Sequence, residues 1–127
     1  MNAADTLEIA HAYHRAWTVD KDFATAAGLL SEDLRTDLPV NVYAGKVEFV
    51  DAITGFGGLI VSVEMLGAIA DGEEAVLIYD LDMPPLGVLR MAEQLTVVDG
   101  KITTIRQVHD TATMRAAGFA PALPEVA

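Results

Sequence analysis

Apolar side chains recur every three or four positions in three stretches of the first half of the chain. This spacing is that of a helix with one buried face, and it predicts helices over residues 4–19, 23–30 and 45–56. Asp5 is the expected N-cap of the first helix, because a short side chain with an acceptor oxygen bonds the free amides of a first turn. Two consecutive glycines follow the third stretch and are expected to end it.

The second half of the chain instead alternates apolar and polar residues, which is the period of a half-buried strand. Two such runs, residues 59–70 and 74–83, flank an Asp-Gly turn, and a last hairpin spans residues 88–110. Earlier in the chain, residues 34–38 alternate and run into a proline, as a short edge strand does. Residues 111–118 are expected to form one or two further helical turns.

The last hairpin folds around an Asp-Gly pair at positions 99–100, a strong hairpin signal. If this pair forms a two-residue turn, Val98 opposes Lys101. Glu93 then opposes Arg106, and the two side chains can form an ion pair.

A second register follows if Gly100 occupies the left-handed bulge position of a three-residue loop, because Val97 then opposes Lys101. A slip of one residue exchanges the two faces of a strand. Both registers leave one face mainly apolar, so the pattern alone leaves both open. In the bulged register, one face carries Leu89, Met91, Glu93, Leu95, Ile105, Gln107 and His109.

Three helical segments followed by long strands indicate an α+β fold. We expect a curved antiparallel sheet packed against three N-terminal helices, enclosing a pocket between them. With 127 residues, the chain is expected to form a single domain over residues 1–127, with a flexible tail over 118–127.

Composition narrows the classes of partner. Eight basic and 19 acidic residues give a net charge of −11, which repels phosphate backbones and anionic membranes. We therefore expect no nucleic acid and no membrane as partners. The N-terminus shows no secretory signal, so a cytoplasmic location is expected. The chain has no cysteine, which excludes disulfides and thiolate chemistry.

Several short passages resemble one protein family in their order and separation. They are Tyr13 and Trp17 in the first helix, residues 29–33 and 37–39, Ala92-Glu93, and residues 99–102 leading to His109-Asp110. Together they resemble the nuclear transport factor 2-like superfamily, which includes the SnoaL-like polyketide-cyclase-like proteins and the ketosteroid isomerases.

This resemblance implies a cone-shaped α+β barrel with an apolar pocket, often dimeric through the outer face of its sheet. It also favours the bulged register, which turns Glu93, Gln107 and His109 inward. A homodimer is therefore expected, formed by an outer face that bears Ala92, Thr96, Thr104 and Val108.

Three residues look like the catalytic set of the ketosteroid isomerases: Tyr13 on the first helix, Asp37 on the first strand and Glu93 on the last hairpin. By that resemblance, Asp37 would remove a proton beside a carbonyl group. Tyr13 and a neutral Glu93 would stabilise the enolate oxygen. The sequence departs from the family pattern where Leu38 separates Asp37 from a proline and where Glu replaces Asp at position 93.

Each of these residues also has a structural interpretation. Tyr13 can pack in the core beside Trp17, Asp37 can bond turn amides, and Glu93 can pair with Arg106. The function predicted is a small-molecule pocket protein, acting as a proton-transfer isomerase or cyclase on a small apolar carbonyl compound. The alternative is a non-catalytic ligand-binding or dimerisation module, which the aromatic content of 6% favours.

His109 is a fourth catalytic candidate, as a general base, because imidazole exchanges protons readily near neutral pH. His11 and His14 lie one helical turn apart, but no acid on that helix completes a metal site, and no cofactor is expected. In limonene-epoxide-hydrolase-like proteins an Arg-Asp-Asp set would fall near Asp80, Asp82 and Gln107, where the arginine and one acid are missing. The expected ligand-binding residues are Trp17, Asp80, Asp82, Met91, Ile105 and Gln107.

Overall fold

The helices and strands follow the predicted order in the computed structural model, which describes residues 2–120. The helices of this part of the chain are α1 (Ala3–Thr18), α2 (Phe23–Gly28), α3 (Lys46–Gly57) and α4 (Ala112–Ala116). Its strands are β1 (Leu30–Asp37), β2 (Ser62–Asp71), β3 (Glu74–Asp82), β4 (Val88–Val98) and β5 (Lys101–His109).

Helices α1 and α3 match their predicted ranges to within one residue, whereas the prediction that α2 runs to residue 30 is wrong, because β1 begins at Leu30. Asn2 caps α1 by accepting a hydrogen bond from the amide of Asp5, so the prediction of Asp5 as N-cap is wrong. The reason is that α1 begins earlier than the apolar pattern does. Asp22 caps α2 by accepting from the amide of Thr25, and α3 ends at the predicted glycines, with Gly58 as its C-cap.

The five strands form one curved, open sheet in the order β1-β5-β4-β3-β2. Strands β2 to β5 pair antiparallel as predicted, whereas β1 lies parallel to β5. The expectation of a purely antiparallel sheet is therefore wrong at this edge. No hairpin joins β1 to β5, because α3 and three strands intervene, so chain connectivity does not impose an antiparallel pairing.

The last hairpin combines features of the two registers left open by the sequence. Asp99 and Gly100 have φ angles of 51° and 79°, as a two-residue primed turn requires, and Val98 opposes Lys101. The pairing then shifts between Thr96 and Val97. Beyond this shift, Glu93, Gln107 and His109 share one face of the hairpin, as in the bulged register. Glu93 and Arg106 therefore lie on opposite faces and form no ion pair.

The sheet body is offset by two residues from the bulged register. Glu93 opposes Gln107, and Leu95 opposes Ile105. Alternate residues of β3 and β4 are buried on the inner face, where the helices pack. The core joins this face to the buried side of α1 and includes Tyr13, Trp17, Leu77, Tyr79, Leu81, Met91, Leu95 and Ile105.

Lys21 joins three segments at one end of the helical layer. Its ammonium group donates hydrogen bonds to the backbone oxygens of Thr18, Gly57 and Ile60, at 2.8, 2.7 and 3.0 Å. These oxygens lie at or just beyond the C-termini of α1 and α3, where backbone carbonyls lack helical partners and negative partial charge accumulates. The close approach of the helices also requires Gly57, since a Cβ there would lie 2.8 Å from the Phe23 ring.

The segment after β5 returns to the rest of the fold. The backbone oxygen of Ala120 accepts a hydrogen bond from the backbone N–H of Asn41, and the backbone N–H of Ala120 donates one to Asn41 Oδ1. The predicted tail therefore includes residues with defined partners, while residues 121–127 lie outside the described part. None of the described helices is long and apolar enough to span a membrane.

We predict that Lys21→Met lowers the free energy of unfolding by about 2 kcal/mol, because three carbonyl groups lose a charged donor. Urea unfolding followed by circular dichroism measures this loss. Lys101→Met is the matched control, since Lys101 bonds one carbonyl, that of Gly28, from an exposed position, and its loss should be well under half as large. Equal losses of unfolding free energy in the two variants would show that the three hydrogen bonds of Lys21 stabilise the fold no more than the single bond of Lys101.

Candidate functional site

A small cavity lies between the inner face of the sheet, α1, α3 and the segment after β5. Its volume is about 60 Å³, several times the roughly 10–15 Å³ that one water needs. Every described lining side chain is uncharged when its histidine is neutral. The lining residues are Trp17, Leu38, Val40, Tyr43, Phe49, Ala52, Ile53, Phe56, Met91, Gln107, His109, Met114 and Phe119.

Two segments outside the sheet close the cavity. The loop between β1 and α3 supplies Val40 and Tyr43, while α4 and the residues after it supply Met114 and Phe119. The Phe119 ring packs edge-to-face on Phe56, with the centroids 6.1 Å apart. The cavity wall is therefore completed by parts of the chain that are distant in sequence.

Glu93 is fully buried behind this cavity. Its Oε1 accepts a hydrogen bond from the Tyr79 hydroxyl at 3.0 Å, and its Oε2 accepts one from Gln107 Nε2 at 2.7 Å. Burial raises the pKa of the Glu93 carboxyl, and these two hydrogen bonds lower it by less. The cavity-lining Gln107 thus links a buried acid to the pocket.

The Tyr79 hydroxyl lies between two acceptors. It is 3.0 Å from Glu93 Oε1 and 3.1 Å from Met91 Sδ, and it has one hydrogen to donate. When Glu93 is protonated, the acid can donate to the tyrosine oxygen while the tyrosine donates to Met91. This alternative gives the neutral acid a partner without moving a side chain.

Two further aromatic groups on α1 lie near this acid. Burial and then the negative charge of Glu93 raise the pKa of Tyr13, and its hydroxyl has no hydrogen-bond partner among residues 2–120. His14 packs edge-to-face on Tyr79, at 4.3 Å between ring centroids. Burial, with a smaller effect from His11, lowers the pKa of His14 to about 4, so the core holds it neutral.

His109 lies at the end of β5 and lines the cavity. Its Nδ1 is 2.9 Å from the backbone oxygen of Asp110. A carbonyl oxygen only accepts, so Nδ1 carries the hydrogen in this contact and Nε2 is left with a free lone pair. The tautomer that results is the one a proton acceptor needs.

Asp37 lies on the opposite face of the sheet from Glu93. It pairs with Arg106 at 2.9 Å, and its side chain is 66% exposed. The expectation that Asp37 meets Tyr13 and Glu93 in one cavity is therefore wrong. The parallel pairing of β1 with β5 sets Asp37 beside Arg106, which faces outward.

Two other expected ligand-binding acids also face outward. Asp80 forms a two-point ion pair with Arg90, at 2.8 and 3.0 Å, and Asp82 alternates with the buried Leu81 on the same strand. Neither lines the cavity, so their predicted entry into the pocket is wrong. Ile105 faces inward as predicted but packs in the core rather than lining the cavity.

Trp17, Met91, Gln107 and His109 are therefore the expected site residues that the structure brings to the cavity. Sequence reasoning missed the walls that come from the β1–α3 loop and from the C-terminal segment. The available signal was aromatic residues in stretches without periodicity, Tyr43 and Phe119, since an exposed loop has little need of such side chains.

Solved structures share this architecture. A protein from Kribbella flavida DSM 17836 is 34% identical, with a TM-score of 0.81, and the match covers 87% of this chain and 91% of that one. A nuclear transport factor 2-like protein of unknown function from Cytophaga hutchinsonii is 16% identical over 87% and 94% of the two chains, with a TM-score of 0.74. A protein provisionally assigned as a ketosteroid isomerase, also from K. flavida, is 22% identical over 87% and 81%, with a TM-score of 0.72.

No family model matches the chain, and no curated protein matches it either. All three proteins share the fold of this chain, and the first also shares substantial sequence identity with it. The chain has the nuclear transport factor 2-like fold, as the resemblance of its motifs implied.

We predict that Glu93→Gln stabilises the fold increasingly as the pH rises above 4.5, the ordinary pKa of this side chain. Because the folded-state pKa is raised, the unfolded protein releases the proton first, and rising pH then favours unfolding. Glutamine cannot ionise. Its oxygen can still accept from Gln107 Nε2, and its NH₂ group can donate to the Tyr79 oxygen while that hydroxyl donates to Met91, as in the protonated acid. The gain should reach roughly 1.4 kcal/mol per unit of pKa elevation.

Urea unfolding of both proteins between pH 4 and pH 8 measures this difference. Glu8→Gln is the matched control, because Glu8 is exposed on α1. A Glu93→Gln difference that stays flat across this range would contradict a raised pKa.

Proposed function

We propose that this protein binds a small, mainly apolar carbonyl compound in the cavity and transfers a proton on it, as an isomerase or cyclase does. The observation that supports this is the position of His109 and Gln107 together in an otherwise largely apolar wall. An apolar pocket with few polar groups binds apolar compounds and orients them by those groups.

In the proposed reaction, His109 Nε2 accepts a proton from a carbon next to the carbonyl group. The electron pair of that C–H bond moves to form an enolate, and the histidine then returns the proton to another carbon for isomerisation. The hydrogen bond between Nδ1 and the Asp110 backbone keeps the required tautomer. Atoms and charge balance without another reactant.

Gln107 would stabilise the enolate oxygen. One hydrogen of its Nε2 is donated to Glu93, and the same nitrogen carries a second hydrogen. Glu93 acts here as a positioning residue, because it fixes which end of the amide is nitrogen. A donor held in place before the reaction stabilises developing charge more than one that must reorient.

The cavity volume limits the ligand. About 60 Å³ is far below the roughly 300 Å³ at which pockets for drug-sized ligands begin. The proposed substrate is therefore a compound with one small ring or a short chain, rather than a steroid.

A second candidate function is ligand binding without catalysis. The outward position of Asp37 favours it, because the acid expected to act as base is paired with Arg106 on the other side of the sheet. In this case His109 and Gln107 would only orient a ligand.

We expect the protein to convert the β,γ-unsaturated isomer of cyclohexenone to its conjugated isomer, followed by ultraviolet absorbance. His109→Gln should reduce kcat by roughly 100-fold or more, with KM little changed, because a proton acceptor is lost while the shape of the wall is kept. His11→Gln is the matched control, since His11 is exposed on α1.

Equal turnover by the native protein and His109→Gln would contradict the role of His109. Binding of the ketone without any turnover would instead support the non-catalytic candidate. Trp17 lines the cavity and is the chain's single tryptophan, so its fluorescence reports binding separately from catalysis.

We also propose a homodimer formed through the outer face of the sheet. Ile78, Ala92 and Val108 lie side by side across β3, β4 and β5, and the exposed fractions of Ile78 and Val108 are 41% and 63%. Such a row of apolar side chains on a sheet surface gains from being covered by a second copy of itself.

Light scattering tests this proposal. We expect a dimer whose dissociation constant rises at least tenfold in Val108→Lys, because two buried lysines would face each other across a symmetric interface. Val47→Lys is the matched control, as Val47 is a 75% exposed valine on α3. A monomer at all protein concentrations would refute the dimer.

A further inference from the structure

Asn41 joins the two segments that close the cavity. Its backbone N–H donates a hydrogen bond to the Ala120 oxygen at 2.7 Å, and its Oδ1 accepts one from the Ala120 N–H at 3.0 Å. Its Nδ2 donates to the Tyr43 hydroxyl at 3.2 Å. Tyr43 lines the cavity from the β1–α3 loop, and Phe119, the neighbour of Ala120, lines it from the segment after β5. Asn41 therefore ties these two segments to each other.

The backbone of Asn41 has a conformation that few residue types adopt. Its φ angle is 56°, in the left-handed region, where asparagine occurs more often than most residues with a side chain. In this conformation its N–H and its side-chain oxygen both bond Ala120. Glycine would keep the backbone conformation and lose the two side-chain hydrogen bonds. The connection between the two segments thus depends on the residue at position 41.

The other walls of the cavity are more costly to open. The sheet wall is held by the pairing of β4 with β5, and the helical wall by buried side chains such as Trp17 and Phe49. In the segment after β5, by contrast, Met114 is the single buried side chain of α4, and Phe119 is half-buried. A segment with few buried contacts opens at a lower free energy than a packed sheet or helix.

We propose that residues 111–120 form a gate with Asn41 as its latch, and that a ligand enters the cavity when this gate opens. This inference rests on the proposed small-molecule pocket and identifies how access to it is controlled. Opening breaks the hydrogen bonds between Asn41 and Ala120 and lifts the Phe119 ring from Phe56. The bond from the Ala120 N–H to Asn41 lies at the surface, so water replaces the lost partners there and the cost stays small.

Acrylamide quenching of tryptophan fluorescence measures this opening without any ligand. The chain has one tryptophan, Trp17, which lines the cavity and is 1% exposed, so a quencher reaches it through openings of the structure. Acrylamide is small and uncharged, and the net charge of −11 does not repel it. The bimolecular quenching constant therefore reports how often the route to Trp17 is open.

We expect Asn41→Gly to raise the quenching constant at least threefold, since the loss of one neutral hydrogen bond shifts an opening equilibrium by about three- to tenfold. Asp99→Gly is the matched control, because Asp99 also has a positive φ, of 51°, and lies in the turn between β4 and β5, outside the cavity wall. It should leave quenching unchanged. A rise in Asn41→Gly no larger than in Asp99→Gly would refute the latch.

A reversible cross-link provides the second measurement. The chain has no cysteine, so Asn41→Cys combined with Ala120→Cys introduces a single disulfide across the latch. Once mass spectrometry verifies this bond, the quenching constant should be at least threefold lower than in the reduced form of the same variant. Equal quenching of the two forms would mean that the route lies elsewhere, for instance between Tyr43 and Ala52, which line an open depression as well as the cavity.

Titration of the native protein with cyclohexanone separates this inference from the proposed function. If cyclohexanone binds but quenching changes in neither variant, the gate is refuted and the pocket stands. If quenching changes as expected but cyclohexanone does not bind, the proposed function fails, and the gate remains as the route into the cavity. Asn41→Gly decides the case even if the disulfide does not form.

Discussion

Burying one carboxyl group among apolar side chains is the constraint on which this structure depends. An unpartnered charge in such a place costs several kcal/mol, so Glu93 requires donors or must remain neutral. Tyr79 and Gln107 meet this requirement from the two neighbouring strands. Gln107 reaches Glu93 only because the pairing of β4 with β5 shifts beyond the turn, between Thr96 and Val97. The shift in pairing thus sets both the register of the hairpin and the hydrogen bond that links Glu93 to the pocket.

Local patterns predicted most of the fold. The helices and the antiparallel strands follow from apolar periods of 3.6 and 2, and the Asp99-Gly100 turn follows from residues that tolerate positive φ. The inward faces of Glu93, Gln107 and His109 were also predicted, although through the family resemblance and not by pattern alone. The position of the bulge escaped prediction. Thr96 pairs with Thr104 and Val97 with Ile102, so Thr103 is the extra residue, and no glycine or proline marks it.

The missed features of the site depend on contacts between distant segments. The direction and register of β1 are set by its pairing with β5, some 70 positions later, and this pairing places Asp37 in an exposed ion pair with Arg106. Sequence spacing made Tyr13, Asp37 and Glu93 look like one catalytic set. A strand face is a property of the assembled sheet, so spacing cannot supply it. The cavity therefore contains Gln107 and His109 in place of the set that the resemblance implied.

The two hydrogen bonds between Asn41 and Ala120 affect how ligand preference can change in this fold. It anchors the segment that places Met114 and Phe119 in the cavity wall, and this segment takes no part in the strand pairing of the sheet. Substitutions there can reshape the pocket while every β-ladder keeps its register. The sheet is thus a frame separate from this part of the wall, so substitutions in the wall can change selectivity without rebuilding the sheet.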